Sequence, residues 1–157
     1  MRLLPQLLPR SPETWRSRRF QVLVLALILV VAAAFRLNGL ETWDDDSHQH
    51  PDERFLTIVA SQVSMPPSLA DYFNTTRSSL NPYANGQSNY AYGQLPLTLT
   101  RMVAEWTGRS SYQQVFGVGR ALSTLADLTT IVLAWLLARR VFGLRTAHLT
   151  ALLLSLT

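Results

Sequence analysis

Residues 20–35 read FQVLVLALILVVAAAF, with Gln21 the single polar member. Leu37 and Leu40 extend the run weakly beyond Arg36. A bilayer crossing takes roughly 20 residues of apolar helix, and an arginine near its end can snorkel to the headgroups. The stretch therefore predicts a first membrane span over residues 20–40. A second apolar run covers residues 118–138, interrupted by Arg120 and Asp127. A third runs from Thr146 to Thr157. As a helix it would reach about 18 Å, short of a hydrocarbon core of about 30 Å.

A cleaved export signal is the competing reading of the first run. Ala32-Ala33-Ala34 resembles a cleavage site, and Ser17-Arg18-Arg19 faintly resembles a twin-arginine signal. The later apolar runs weigh against it, because a secreted remainder would leave them in water. The expectation is an all-α membrane protein: part of a multi-span helical bundle with a large extracytoplasmic loop that carries amphipathic surface helices.

Composition agrees. The 157 residues suit one domain, and they are 48% hydrophobic and only 15% charged, which argues against both disorder and an ordinary soluble globule. With no cysteine, a disulfide scaffold and a cysteine-ligated zinc or iron–sulfur site are excluded. All 14 basic residues are arginine, so Schiff-base and P-loop lysine chemistry is absent.

The formal charge of +4 raises the question of nucleic acid, but its distribution answers it. Arg2, Arg10, Arg16, Arg18 and Arg19 precede the first run, and Arg139, Arg140 and Arg145 follow the second. Residues 41–117 between them carry eight acids against four arginines. That is segregation, not a basic binding face. Under the positive-inside rule residues 1–19 are cytoplasmic, 41–117 form the external loop, and 139–145 form a cytoplasmic turn. The third run, 146–157, then starts back outward. The expected location is multi-pass in a bacterial plasma membrane.

The loop has its own order signals. Residues 54–65 (RFLTIVASQVSM) place Phe55, Ile58, Val59 and Val63 on one helical face. Pro51, Asp52 and Glu53 suit the helix start, and Pro66-Pro67 its end. From Leu95 to Trp106 a second amphipathic piece gathers Leu95, Leu99, Met102, Val103 and Trp106, with Thr98, Arg101 and Glu105 largely off that face. These two helices either lie along the membrane surface or pack on the rest of the protein. Between them, residues 68–94 are polar, with Asn81-Pro82-Tyr83 and Asn85-Gly86 as turn signals. Tyr72, Phe73, Tyr83, Tyr90 and Tyr92 here form an interfacial belt, simple packing, or the lining of a ligand groove. Asn74-Thr75-Thr76 is a formal glycosylation sequon.

Two acidic groups follow the first span: Asp44-Asp45-Asp46, and Asp52-Glu53 within His48-Gln49-His50-Pro51-Asp52-Glu53. A carboxylate at a helix start on the membrane boundary can take a proton from an incoming hydroxyl, and the helix dipole favours its ionised form. The same groups with the two histidines offer ligands for a divalent cation. Solvated acids and a helix cap are the structural alternative. Asp127, inside the second span, is costly there and needs a partner. Arg120 lies two turns away on the same face, so direct pairing is unfavourable and a partner from a helix outside this sequence is at least as good a candidate. His148 sits at the start of the third run, with no special role expected.

In order and spacing, these pieces resemble the N-terminal part of the type C glycosyltransferases. The closest likeness is to bacterial members of the dolichyl-phosphate-mannose–protein mannosyltransferase-like family. Arg36-Leu37-Asn38-Gly39-Leu40 is similar to that family's exit from its first span. His50-Pro51-Asp52-Glu53-Arg54-Phe55 is similar to its Asp-Glu motif in the first external loop. Asn81-Pro82-Tyr83 and Tyr92-Gly93-Gln94-Leu95-Pro96-Leu97 resemble later loop signatures. Gly119-Arg120-Ala121-Leu122-Ser123 and Ala138-Arg139-Arg140-Val141-Phe142-Gly143 resemble the opening and close of its second span.

The resemblance implies sugar transfer from a polyprenyl-phosphate donor to an acceptor hydroxyl outside the cytoplasm, with inversion at the anomeric carbon. It implies that Asp52 positions or deprotonates the acceptor, with Glu53 beside it. It also implies two membrane-surface helices in this loop. Family members have many spans, so the chain reads as an N-terminal portion that is inactive alone. The alternative is a non-enzymatic membrane subunit that assembles through its spans, with Asp127 and Arg120 as interhelical polar contacts.

Overall fold

The computed structural model describes residues 17–44 and 50–157, and among them every regular element is helical. In chain order these are α1 (Arg18–Leu37), α2 (Pro51–Gln62), α3 (Leu69–Phe73), a 3-10 turn (Tyr83–Asn85), α4 (Gln94–Trp106), α5 (Tyr112–Phe142) and α6 (Leu144–Ser155). Arg2, Arg10, Arg16, Asp45, Asp46 and His48 lie outside the described residues. The chain divides into two compact units. One comprises Met1–Arg36 with Asp127–Thr157, the other Leu37–Ala126.

The first unit holds α1, the later part of α5, and α6. Ile28 and Ala32 of α1 pack with Ile131, Trp135 and Ala138 of α5 and with Ala147 and Ala151 of α6. Ala32, Ala147 and Ala151 are fully buried, and such small residues let helix backbones approach closely. The other face of α1 is bare: Val22, Leu23, Leu27, Val30 and Phe35 are all more than half exposed. α1 and α5 are each long and apolar enough to cross a membrane. Only 17% and 22% of their most apolar stretches are buried. A core helix of a soluble protein would hide far more of that surface, since such faces sit in its interior.

Several boundaries differ from the sequence reading, and residues 139–145, expected as a turn, are helical except Gly143. α1 ends at Leu37, and Gly39 follows at φ +71, a left-handed conformation that glycine adopts without penalty. α5 starts at Tyr112, before the apolar run, because nothing in residues 112–117 breaks a helix. α6 covers 12 residues and is shorter than a bilayer core. It is joined to α5 at Gly143 (φ 89°, ψ 178°), a region open essentially to glycine alone.

The second unit is the loop with the start of α5. Val59, Ala60 and Val63 meet Leu80, Leu97, Ala104, Val115 and Val118 in its core, with Phe55 and Val103 packed against them. α2 stops at Gln62, short of the Pro66-Pro67 stop. Val63 is extended, and the Ser64 amide donates to the Ser79 carbonyl at 3.1 Å instead of continuing the helix. α3 was not foreseen in the polar stretch. Its signal is Ser68, whose hydroxyl accepts the Asp71 amide at 3.1 Å as an N-cap. The Asn81–Gly86 turn signals hold: Asn81 Oδ1 accepts the Tyr83 amide at 3.0 Å, and Gly86 sits at φ +86.

On α4 the two faces are the reverse of a simple amphipathic packing. Leu97, Arg101 and Ala104 look inward, and Arg101 donates to the Ala60 carbonyl at 3.1 Å. Leu95, Leu99, Met102 and Trp106 look outward, with Trp106 86% exposed. Leu69 and Phe73 of α3 are also bare. Of the five apolar residues grouped from the sequence, Val103 alone packs on the core.

Candidate functional site

The start of α2 is the chemically richest place in the loop unit. Pro51 occupies the first turn, where a missing amide costs nothing. His50 is the cap: its Nδ1 accepts the Asp52 amide at 3.4 Å. That same nitrogen lies 3.9 Å from Asp52 Oδ2. Asp52 and Glu53 both sit in this first turn, where the exposed amides of the helix favour negative charge.

The two carboxylates meet opposite fates. Glu53 is clamped by Arg120 of α5, with Nε to Oε1 at 2.5 Å and Nη2 to Oε2 at 2.9 Å. Arg120 Nη1 also donates to the carbonyls of Leu40 and Trp43 at 2.9 and 2.8 Å, and its guanidinium stacks over Phe116. Asp52, by contrast, keeps a side chain 65% exposed. Across the loop, the Asp52 carboxylate as an acceptor, then burial, then its negative charge raise the Tyr92 pKa above its ordinary value.

Tyr92 belongs to a ring cluster. Its centroid is 6.0 Å from that of Phe55 and 5.9 Å from that of Tyr90, and Phe55 and Tyr90 are 6.3 Å apart. Burial, then the neighbouring Tyr92, raise the Tyr90 pKa. Tyr83 braces this loop: its hydroxyl donates to the Tyr90 carbonyl at 3.1 Å. Tyr72 and Phe73 pair edge-on as a separate contact on α3. The loop aromatics thus split: three pack on one another, one braces their segment of chain, and two sit apart.

The remaining sequence candidates fall elsewhere. Among the described residues no group of three or more histidines and acids gathers as a metal site. Asp127 is paired with Arg36, and the partner comes from the first span, not from Arg120. The Arg36 side chain is mostly shielded. It also donates to the carbonyls of Leu154 and Ser155 of α6, each at 3.0 Å, so all three of its nitrogens are engaged. Beside this pair lies a cleft of about 430 Å³, lined by Phe35, Arg36, Asp127, Ser155, Leu156 and Thr157. His148 is buried against Trp135, with Nε2 3.4 Å from the Gln21 carbonyl. The sequon residues Asn74 and Thr76 are exposed, and the Thr76 hydroxyl donates to Asn74 Oδ1 at 3.0 Å.

Sequence reasoning missed Arg120 as the partner of Glu53. The pair is 67 residues apart in sequence, and no local pattern carries it. No family model, curated protein or solved structure matches the chain.

Proposed function

We propose that this chain carries the acceptor-side base of an integral-membrane glycosyltransferase that moves a sugar from a polyprenyl-phosphate donor to an acceptor hydroxyl outside the cytoplasm. What supports the reading most is the division between neighbouring acids: Glu53 is consumed by Arg120, while Asp52 stays open at the same helix start. A general base needs an ionised, reachable carboxylate in a fixed place. In the reaction, the acceptor O–H proton passes to Asp52. The acceptor oxygen bonds to the anomeric carbon opposite the phosphate. The bond from that carbon to the phosphate oxygen breaks, and polyprenyl phosphate leaves with the electron pair. Glu53 then acts through its ion pair, as the residue that fixes the turn.

The two apolar helices and their bare faces support the membrane setting. The outward stripe of α4 (Leu95, Leu99, Met102, Trp106) and the bare Leu69 and Phe73 of α3 suit a loop resting on the outer membrane surface. The multi-span arrangement, with the N-terminus cytoplasmic and residues 41–117 outside, belongs to the same proposal. In the alternative, a non-enzymatic subunit, Asp127 and Arg120 were offered to partner helices. Both are engaged within the chain, which removes that reason for preferring it.

The test is Asp52→Asn in the full-length gene product, in membranes supplied with a polyprenyl-phosphate sugar. Loss of transfer at unchanged expression supports the proposal. Undiminished transfer, or a reporter at Tyr83 facing the cell interior, overturns it.

A further inference from the structure

We propose that the end of the first unit where α1 starts, α5 ends and α6 starts is a docking surface for anionic phospholipid headgroups. This rests on the membrane setting of the reading above and not on sugar transfer. In the topology proposed there, the headgroups belong to the inner leaflet.

The fold gathers two arginine clusters that lie far apart in the sequence. His148 of α6 places Nε2 3.4 Å from the Gln21 carbonyl of α1, and its ring is 5.8 Å from that of Trp135 on α5. These contacts set the starts of α1 and α6 beside the last turns of α5. Arg18 and Arg19 stand within a turn of Gln21, Arg145 within a turn of His148, and Arg139 and Arg140 follow Trp135 by a turn. All five are exposed. Arg139 covers the Trp135 ring, with Cζ 5.1 Å from its centroid. The single acid among the described residues of this unit is Asp127, and it is paired with Arg36. Arg36 lies about 27 Å from Arg18 along α1. No described acid therefore balances the five charges at this end.

Helix stability does not account for them. The helix dipole favours arginine in a last turn, where Arg139 and Arg140 stand, and opposes it in a first turn. Arg18, Arg19 and Arg145 occupy first turns, and neither α1 nor α6 has an acid there. The apolar surroundings select the partner. Val22 and Leu23 of α1, Val141 and Phe142 of α5 and Leu149 of α6 are each more than half exposed, within about a turn of an arginine. A polyanion in water, such as nucleic acid, gains nothing from that rim. A lipid meets both features, with its phosphate on the guanidinium groups and its acyl chains on the rim.

The test takes the 157-residue chain in neutral detergent and titrates it with dioleoylphosphatidylglycerol or dioleoylphosphatidylcholine, read by native mass spectrometry. The anionic lipid should be retained at least about 10-fold more tightly, since each arginine near an anionic surface adds about five-fold. Arg18→Gln, Arg19→Gln and Arg145→Gln together should erase most of that preference, and the same three positions changed to Lys should keep it. Arg77→Gln, at an exposed arginine of the other unit, should leave it intact. In phosphatidylcholine the triple Gln variant should unfold no earlier than the wild type, because its lost charges opposed the helix dipoles. Equal retention of the two lipids, a preference that survives the triple Gln variant, or an earlier unfolding of that variant overturns the proposal. So does displacement of the lipid by glycerol 3-phosphate or by single-stranded DNA. Each of these results leaves membrane residence standing. A chain that stays in water without detergent sinks the membrane setting, and this surface with it.

Discussion

Arg120 holds Glu53 as a fork holds a fork: two guanidinium nitrogens on two carboxylate oxygens, at 2.5 and 2.9 Å. The bonds join the first turn of α2 to α5, and the Leu40 and Trp43 carbonyls tie the preceding turn to the same guanidinium. Side chains here are 17% and 29% exposed, so the pair is mostly shielded from water.

Arg120→Ala should therefore destabilise the loop unit by about 2 kcal/mol, since it strands a carboxylate and two carbonyls. Arg120→Lys should recover little, because a point charge cannot bond both oxygens in a plane. Glu53→Gln, which keeps the shape, should cost less than Arg120→Ala. Thermal unfolding of the three variants in detergent checks the order.

Arg36 and Asp127 make a different case. Removing either one leaves a charge on an apolar helix; the pair is only partly shielded, with side chains 16% and 47% exposed, so Arg36→Leu or Asp127→Leu should each lose about 1–2 kcal/mol. The double variant should regain most of that, because exchanging such a pair for apolar side chains is often close to neutral. A double-mutant cycle by denaturant titration measures the coupling. Additive losses would contradict the pairing.

Glu105 supplies the pH dependence. Burial pushes its pKa up, but the Met65 amide at 2.9 Å and the Arg101 guanidinium at 2.7 Å outweigh burial and hold it below its ordinary value of 4.5. A carboxylate with a lowered folded pKa contributes stability that is fully present above the unfolded value. That contribution is lost as pH falls below 4.5 and through the folded value. Unfolding midpoints should thus drop on acidification through this window. The drop should shrink in Glu105→Gln, which starts less stable at neutral pH.

Trp106 tests the outward stripe of α4. If that face rests on lipid, its fluorescence should be quenched by brominated acyl chains near the headgroups. A variant with Trp15, Trp43 and Trp135 replaced by Phe isolates the signal. Leu99→Glu, placed on the same face, should weaken the quenching. Emission indifferent to bromolipid would place the stripe in water.

Much of the helical layout was legible in the sequence, for a simple reason. Apolar runs, Pro51 and the two acids after it, and the Asn81 and Gly86 turn residues are local signals, and local signals fix local structure. The helix at Pro51 begins where its proline and acids ask it to. What stayed hidden was non-local. Asp127 needed a partner, but only packing of α1 beside α5 makes it Arg36. Arg101 read as lying largely off the apolar face, yet its guanidinium reaches the Ala60 carbonyl and its side chain is 11% exposed. The periodicity of α4 identified an apolar stripe correctly and could not say which way it pointed. The open Asp52 was named from its motif, and the Arg120 that holds the adjacent Glu53 lay 67 positions on, where no spacing rule reaches.

The bare row on α4 has a practical consequence. Cutting away both long helices would not turn residues 50–110 into a well-behaved aqueous domain. Leu95, Leu99, Met102 and Trp106, with Leu69 and Phe73 nearby in the chain, would seek cover in each other's copies. The excised piece should clump unless micelles or lipid are supplied, so greasiness in this chain is not confined to its two longest helices.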